Sequence, residues 1–266
     1  MSIPVESSRP VRDPWRPLRY LIRIPLLLVH VVIAILIALL LASTTLASLG
    51  GRDDRRLGKR LIRWWSATLL RICGFRIRAY GTPLPGAVLF VANHISWLDI
   101  VLLHSQRAVH FVAKSEIARW PLVGWLAARG GTIFHRRGNT DSLAAVMARV
   151  VVQLRAGEPV GVFPEGGSGH GLRVGTFHAR IFQTALDAEV PVQPVALRYG
   201  RDGRQHPDVP FGVKESFFAN FLRILGNAPM DAEIHFLEPV APTPDARRLM
   251  AEESRRRIVA VLGYGD

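Results

Sequence analysis

Residues 87–99 read AVLFVANHISWLD. The stretch opens as an apolar run, Ala87 to Ala92, with Pro83, Pro85 and Gly86 just upstream. A short apolar run bounded by turn formers reads as a buried strand. The run stops at Asn93-His94, and Ser96-Trp97-Leu98-Asp99 then opens a helix through Leu103. A histidine between a strand and a helix sits at the carboxyl edge of a sheet, where open α/β sheets bind their ligands.

His94 and Asp99 are five residues apart, a spacing that turns side chains away from each other on one continuous helix. They meet only if His94 lies in the loop and Asp99 in the first helical turn. Asp99 could then accept from one imidazole nitrogen, fixing the tautomer and leaving the other nitrogen to take a proton from a hydroxyl. The same residues also spell a capping box, with Ser96 as N-cap and Asp99 reaching back. On that reading His94 is an ordinary loop histidine.

Working outward, strands are predicted near 75–80, 87–92, 109–113, 131–135, 159–163, 192–198 and 232–238. Helices are predicted near 96–105, 116–128, 140–155, 176–188 and 244–262. Alternating strands and helices imply an α/β fold with a largely parallel sheet flanked by helices. Residues 1–74 form a basic N-terminal region ahead of this 75–266 domain.

Within that region, Leu26 to Leu49 is a 24-residue run whose polar members are His30, Ser43, Thr44, Thr45 and Ser48. At ~1.5 Å per residue it is long enough to span a bilayer. It is too long for the apolar segment of a signal peptide, and RDDRRLGKR is a poor start for a mature protein. His30 is expected to be tolerated near the membrane interface. Residues 1–20, rich in Pro and Arg, are expected to be irregular. Residues 55–73 interleave Leu57, Leu61, Trp64, Trp65, Leu69 and Ile72 with cations, the pattern of a basic amphipathic helix at a membrane surface.

The formal net charge is +13. Residues 1–80 hold 14 Lys+Arg against 4 Asp+Glu, while residues 81–266 hold 20 against 17. The excess surrounds the hydrophobic segment, which argues for an anionic membrane surface and against nucleic acid. Both flanks of the apolar run are basic, so one span cannot satisfy the positive-inside rule at both ends. Either one flank loses, or the helix dips into one leaflet and both ends stay cytoplasmic; the N-terminus and the α/β domain are expected on the cytoplasmic side. Cys73 is the one cysteine, so no disulfide forms within the chain and no Cys/His metal spacing exists. In its apolar helical setting it reads as a buried structural thiol.

NHISWLD matches the N-H-x-x-x-x-D motif of the glycerolipid acyltransferases. AKSEIARWPLVGWLAARGGTIFHRR, FPEGG and VPVQPVA follow in that family's order. Over roughly Phe75 to Tyr199 the chain resembles the 1-acylglycerol-3-phosphate (lysophosphatidic acid) acyltransferases. The resemblance implies that His94 is the general base and Asp99 its orienter. Arg136, ending a strand, would offer a planar fork to the acceptor phosphate, helped by Arg137 and by Lys114 at another strand end. Glu165 and Gly166 would position the acceptor, and the Val190–Ala196 stretch would line an acyl pocket. The family pattern F-P-E-G-T-R-S is broken here by Gly167, Ser168 and Gly169, which removes an Arg. Those departures are similar to the bacterial lyso-ornithine lipid acyltransferases.

The resemblance implies transfer of a fatty acyl group from acyl carrier protein or coenzyme A to the hydroxyl of lysophosphatidic acid. The alternatives are another lysolipid such as lyso-ornithine lipid, or a non-catalytic membrane-surface protein. No cofactor, metal or nucleic acid is expected, and the implied place is the cytoplasmic face of a bacterial inner membrane.

Overall fold

The computed structural model describes residues 13–42, 52–115, 118, 124, 132–135, 140–242 and 246–264. Eight strands form one sheet: β1 (Phe75–Tyr80), β2 (Leu89–Ala92), β3 (His110–Lys114), β4 (Ile133–His135), β5 (Val160–Val162), β6 (Val192–Arg201), β7 (Arg204–Gln205) and β8 (Met230–Phe236). Their order is β1-β8-β6-β2-β5-β3-β4, with β7 paired to the end of β6. The run β6-β2-β5-β3-β4 is parallel throughout. β8 turns against β6, and β1 runs parallel to β8. The largely parallel sheet expected from sequence is therefore present, and β6 runs on to Arg201.

The central strands are apolar on both faces because both are covered. In β2, Leu89 and Val91 join one core while Phe90 and Ala92 join the other. In β6, Val192 and Ala196 face one way and Val195, Leu197 and Tyr199 the other. Helices α2 (Arg52–Ile72), α3 (Leu98–Gln106) and α6 (Phe217–Gly226) cover the first face. Helices α4 (Thr140–Arg155), α5 (Gln183–Ala188) and α7 (Arg247–Leu262) cover the second.

The N-terminal helix α1 spans Arg16–Ala42. It starts ten residues before the expected apolar run, so residues 16–20 are helical and not irregular. The reason is a docking contact. Arg23 Nη1 donates to the carbonyls of Leu225 and Asn227, both at 2.8 Å, and Tyr20 Oη donates to Leu222 O at 2.9 Å. The bond to Leu225 satisfies a carbonyl in the last turn of α6 that its own ladder leaves open, and the other two fix the residues around that helix end. Further along α1, His30 is buried: its ring stacks on Trp65 with centroids 5.0 Å apart, and Nε2 donates to Trp65 O at 3.0 Å. Arg23 also crosses close to Gly74, where a Cβ would fall 2.2 Å from its Nη2. α1 thus meets Gly74 before it meets Trp65, and the two helices run antiparallel. The start of α1 and the end of α2 both lie on the α/β body.

α2 divides its residues between core and surface. Leu69 and Leu70 are buried in the first core, whereas Leu57 and Trp64 are exposed. Two further expectations change. The helix predicted over 176–188 is an extended tether to His178, a 3-10 turn at Ala179–Phe182 and the short α5. α6 and β7 had no counterpart in the sequence reading. The helix predicted near 116–128 falls mostly outside the described residues.

Candidate active site

β2 ends at Ala92, and the next residue, Asn93, is anchored to β6. Its side-chain amide donates to Leu197 O at 3.0 Å, and its Oδ1 accepts from Leu197 N at 2.8 Å. The side chain thus imitates one more residue of strand pairing along β6. That hold sets the exit direction of the loop carrying His94.

His94 Nδ1 lies 2.7 Å from Asp99 Oδ2. Asp99 stands in the first turn of α3 and is fully buried. Its Oδ2 also accepts from the backbone N–H groups of Ile95 (2.6 Å) and Ser96 (2.9 Å). Its Oδ1 accepts from Tyr199 Oη at 2.8 Å. Four donors offset the cost of taking this carboxylate out of water. The two sequence readings of Asp99 are therefore not alternatives, because one oxygen holds both the loop amides and the imidazole. Ser96 is not the N-cap. Trp97 holds that place without a side-chain cap, and the buried Ser96 Oγ has no partner among the described residues.

Tyr199 is the member of this network that no motif announced. Its ring is fully buried, edge-on to Phe75 at 5.7 Å. Burial, and then the neighbouring Asp99 charge, push its phenol well above the usual range, so it remains a donor. Asn93 stood inside the matched motif without an assigned role.

The His94 ring is held on one face as well. It stacks on Phe163 with centroids 4.1 Å apart and planes 15° from parallel, and Phe163 stacks in turn on Phe111 at 5.8 Å. The side chain is 17% exposed. Nδ1 is committed to Asp99, and Nε2 has no hydrogen-bond partner among the described residues.

β5 lies beside β2 and delivers Phe163-Pro164-Glu165 to the same sheet edge. Glu165 Oε1 accepts from His94 N at 2.8 Å, and Oε2 accepts from Gly175 N at 2.7 Å. Burial raises its pKa, and the two amides act against that shift. Expected to position an acceptor, Glu165 here makes its contacts with backbone, tying the His94 loop to the loop over 166–178. Gly169 N donates to His94 O at 2.8 Å, and His178 N donates to Pro164 O at 2.9 Å, closing that loop down. One glycine here is favoured by its backbone and a second lets the Glu165 carboxylate approach closely. Gly166 takes φ +75°, and a Cβ on Gly175 would fall 2.8 Å from Glu165 Oε2.

The expected cations are less fully placed. Lys114 ends β3, in register with His135 of β4. Successive strands are ~4.8 Å apart, so these strand ends stand roughly 10 and 14 Å from β2 along the same edge. The side chain of Lys114, and Arg136 and Arg137 altogether, lie outside the described residues. Within the Val190–Ala196 stretch, expected to line an acyl pocket, Val190, Val192, Val195 and Ala196 are buried. Cys73 is buried and its thiol is pushed up to about 12, as suits a structural residue.

Three comparisons bear on this arrangement. Residues 76–198 match the family model described as Acyltransferase. The chain is 38% identical over 210 residues to the lyso-ornithine lipid O-acyltransferase of Pseudomonas aeruginosa, covering 79% of this chain and 81% of that one. It is 39% identical over 115 residues to the 1-acyl-sn-glycerol-3-phosphate acyltransferase of Neisseria gonorrhoeae, covering 43% and 45%. In fold it is similar to the crystal structure of the 1-acyl-sn-glycerophosphate (LPA) acyltransferase PlsC from Thermotoga maritima. That match has a TM-score of 0.63 at 21% identity and covers 92% of this chain and 100% of that one.

Proposed function

The chain belongs to the acyltransferase family, and from that premise we propose that it acylates the free hydroxyl of a lyso-ornithine lipid. The donor is a fatty acyl thioester of acyl carrier protein or coenzyme A. Both donors are acidic, and the basic N-terminal region would attract either.

The observation that carries the chemistry is the fixed imidazole. With Nδ1 bound to a buried carboxylate, Nε2 is the basic nitrogen, at the carboxyl edge of a parallel sheet. The acceptor hydroxyl gives its proton to Nε2 as its oxygen bonds to the thioester carbonyl carbon. The C–S bond then breaks, and the leaving thiolate takes the proton back from the imidazolium. Asp99 holds the tautomer and stabilises the imidazolium charge. No acyl-enzyme is formed.

Two observations favour the ornithine acceptor over lysophosphatidic acid. The relative matched over four-fifths of both chains bears that name. The loop after Glu165 also has Gly167, Ser168 and Gly169 where the phosphate-binding pattern has an Arg. A lyso-ornithine lipid carries a carboxylate and an ammonium group in place of a phosphate. Lysophosphatidic acid is the second reading, favoured by Arg136 and Arg137 directly after β4. In that case Arg136→Ala would raise the KM for lysophosphatidic acid and leave the donor KM unchanged.

α1 is long and apolar enough to cross a membrane, in keeping with a lipid-acylating enzyme. We place the catalytic body on the cytoplasmic side, where thioester donors are made. The test of the acceptor is direct. Purified protein with labelled acyl donor is offered lyso-ornithine lipid, lysophosphatidic acid and other lysolipids. Lyso-ornithine lipid should be acylated with the highest kcat/KM; preference for lysophosphatidic acid would overturn the assignment.

A further inference from the structure

α6 is amphipathic, but its apolar surface is only partly used by the fold. Ile224 and Leu225 are buried in the core, while Phe218 is 66% exposed. In the turn before α6, Val213 is 92% exposed and sits next to the exposed Lys214. Val213 and Phe218 are among the most exposed large apolar side chains of the α/β body. Phe218 and Leu222 are one helical turn apart on the same face. Leu222 O is the acceptor of Tyr20 Oη from α1. The exposed surface of α6 therefore adjoins a helix whose Leu21, Ile22, Leu26 and Leu28 are themselves exposed.

We propose that the Val213–Leu222 segment is a second membrane-contacting element, its apolar side chains entering the acyl-chain region of the leaflet that holds α1. Continuity with α1 selects lipid over a protein partner. Lys214 and Arg16, both exposed, flank the surface with cations suited to anionic headgroups.

The location gives this contact a function. Phe217 and Phe221, beside Phe218, hold the Trp97 ring with centroids 5.5 and 5.6 Å away. Trp97 Nε1 donates to Asn220 Oδ1 at 3.0 Å. Trp97 belongs to the same short connection as His94 and precedes α3. Seating α6 in the leaflet brings the His94 loop to the membrane surface. A lysolipid then reaches the imidazole without leaving the bilayer.

The test uses the full chain with single cysteines at Val213 or Phe218, each carrying an environment-sensitive fluorophore. Cys73 is buried and, with its thiol pushed up to about 12, does not compete for label. Vesicles of phosphatidylcholine and phosphatidylglycerol, with and without a spin-labelled quencher lipid, supply the membrane. Labels at Val213 and Phe218 should shift to the blue and be quenched, as a label at Leu28 of α1 is. A label at Asp187 on α5 should stay in water. Water-like emission at Val213 and Phe218 while Leu28 is quenched would overturn the proposal. So would a blue shift that follows protein concentration without lipid, which indicates self-association. In kinetics, Phe218→Asp should raise the acceptor KM several-fold for vesicle-presented lysolipid and leave it unchanged in detergent. An equal loss in both would also count against it. The fluorescence result is independent of which lysolipid is acylated, so the two assignments fail separately.

Discussion

Tyr199 shows how a single hydroxyl reaches the reacting atoms through another residue. Its bond to Asp99 Oδ1 is one of four that hold the carboxylate. Tyr199→Phe leaves three, so Asp99 should stay buried but be less firmly aimed. We expect kcat to fall about tenfold, ~1.4 kcal/mol of barrier, with the acceptor KM unchanged. A drop in melting temperature with full kcat would make Tyr199 a packing residue only. His104 carries a pH prediction. Burial, with His110 nearby, lowers its pKa from 6.5 to about 4. The unfolded chain binds a proton below 6.5 and the folded one only near 4, so acidification through that window favours unfolding. His104→Gln should flatten the fall of melting temperature across that window; an unchanged pH slope would refute the assignment. Of the site, the His94–Asp99 pair was legible because five residues across a strand-to-helix junction allow few other geometries. Tyr199 was not, because a hundred residues separate it from Asp99 and only the β2–β6 pairing brings them together.

At the scale of elements, β strands were legible because the parallel core demands near-continuous apolar runs such as Leu89–Ala92. α6 was missed. It is short, follows a turn-rich stretch, and keeps its aromatic residues on a half-exposed face. Its one clear local signal is the N-cap Ser216, whose Oγ accepts from Ala219 N at 3.2 Å. The start of α1 was missed for a different reason. Arg19, Tyr20 and Arg23 look like a charged flank in sequence, yet they are docking groups for the end of α6. Removing Arg23 strands two carbonyls at that junction. Arg23→Ala should therefore cost ~1–3 kcal/mol of stability, seen as a lower melting temperature in detergent. A melting temperature equal to that of the parent protein would mean that the junction is not a stabilising contact.

For the whole molecule, the antiparallel α1–α2 pair bears on the conflict between its two basic flanks, and we propose that the pair dips into one leaflet. The helix pair leaves the catalytic body at Arg23 and returns to it at Gly74. A pair that dips into one leaflet satisfies the charge rule at both ends. Cysteines placed at Trp15 and Ser168 should then react with an impermeant reagent from the same side of sealed vesicles. Labelling of the two from opposite sides would establish a true span.

The fold holds one imidazole, that of His94, fixed at the carboxyl edge of a parallel sheet. A lipid hydroxyl is a poor nucleophile near neutral pH, and a positioned base contributes typically ~10²–10⁴-fold. The most direct measurement is acyl transfer by purified His94→Ala beside its melting curve and vesicle binding. We expect a fall in kcat within that range, with melting and membrane binding close to those of the parent protein. A folded, membrane-bound His94→Ala protein that transfers acyl groups at the parent rate would contradict the general-base role of His94.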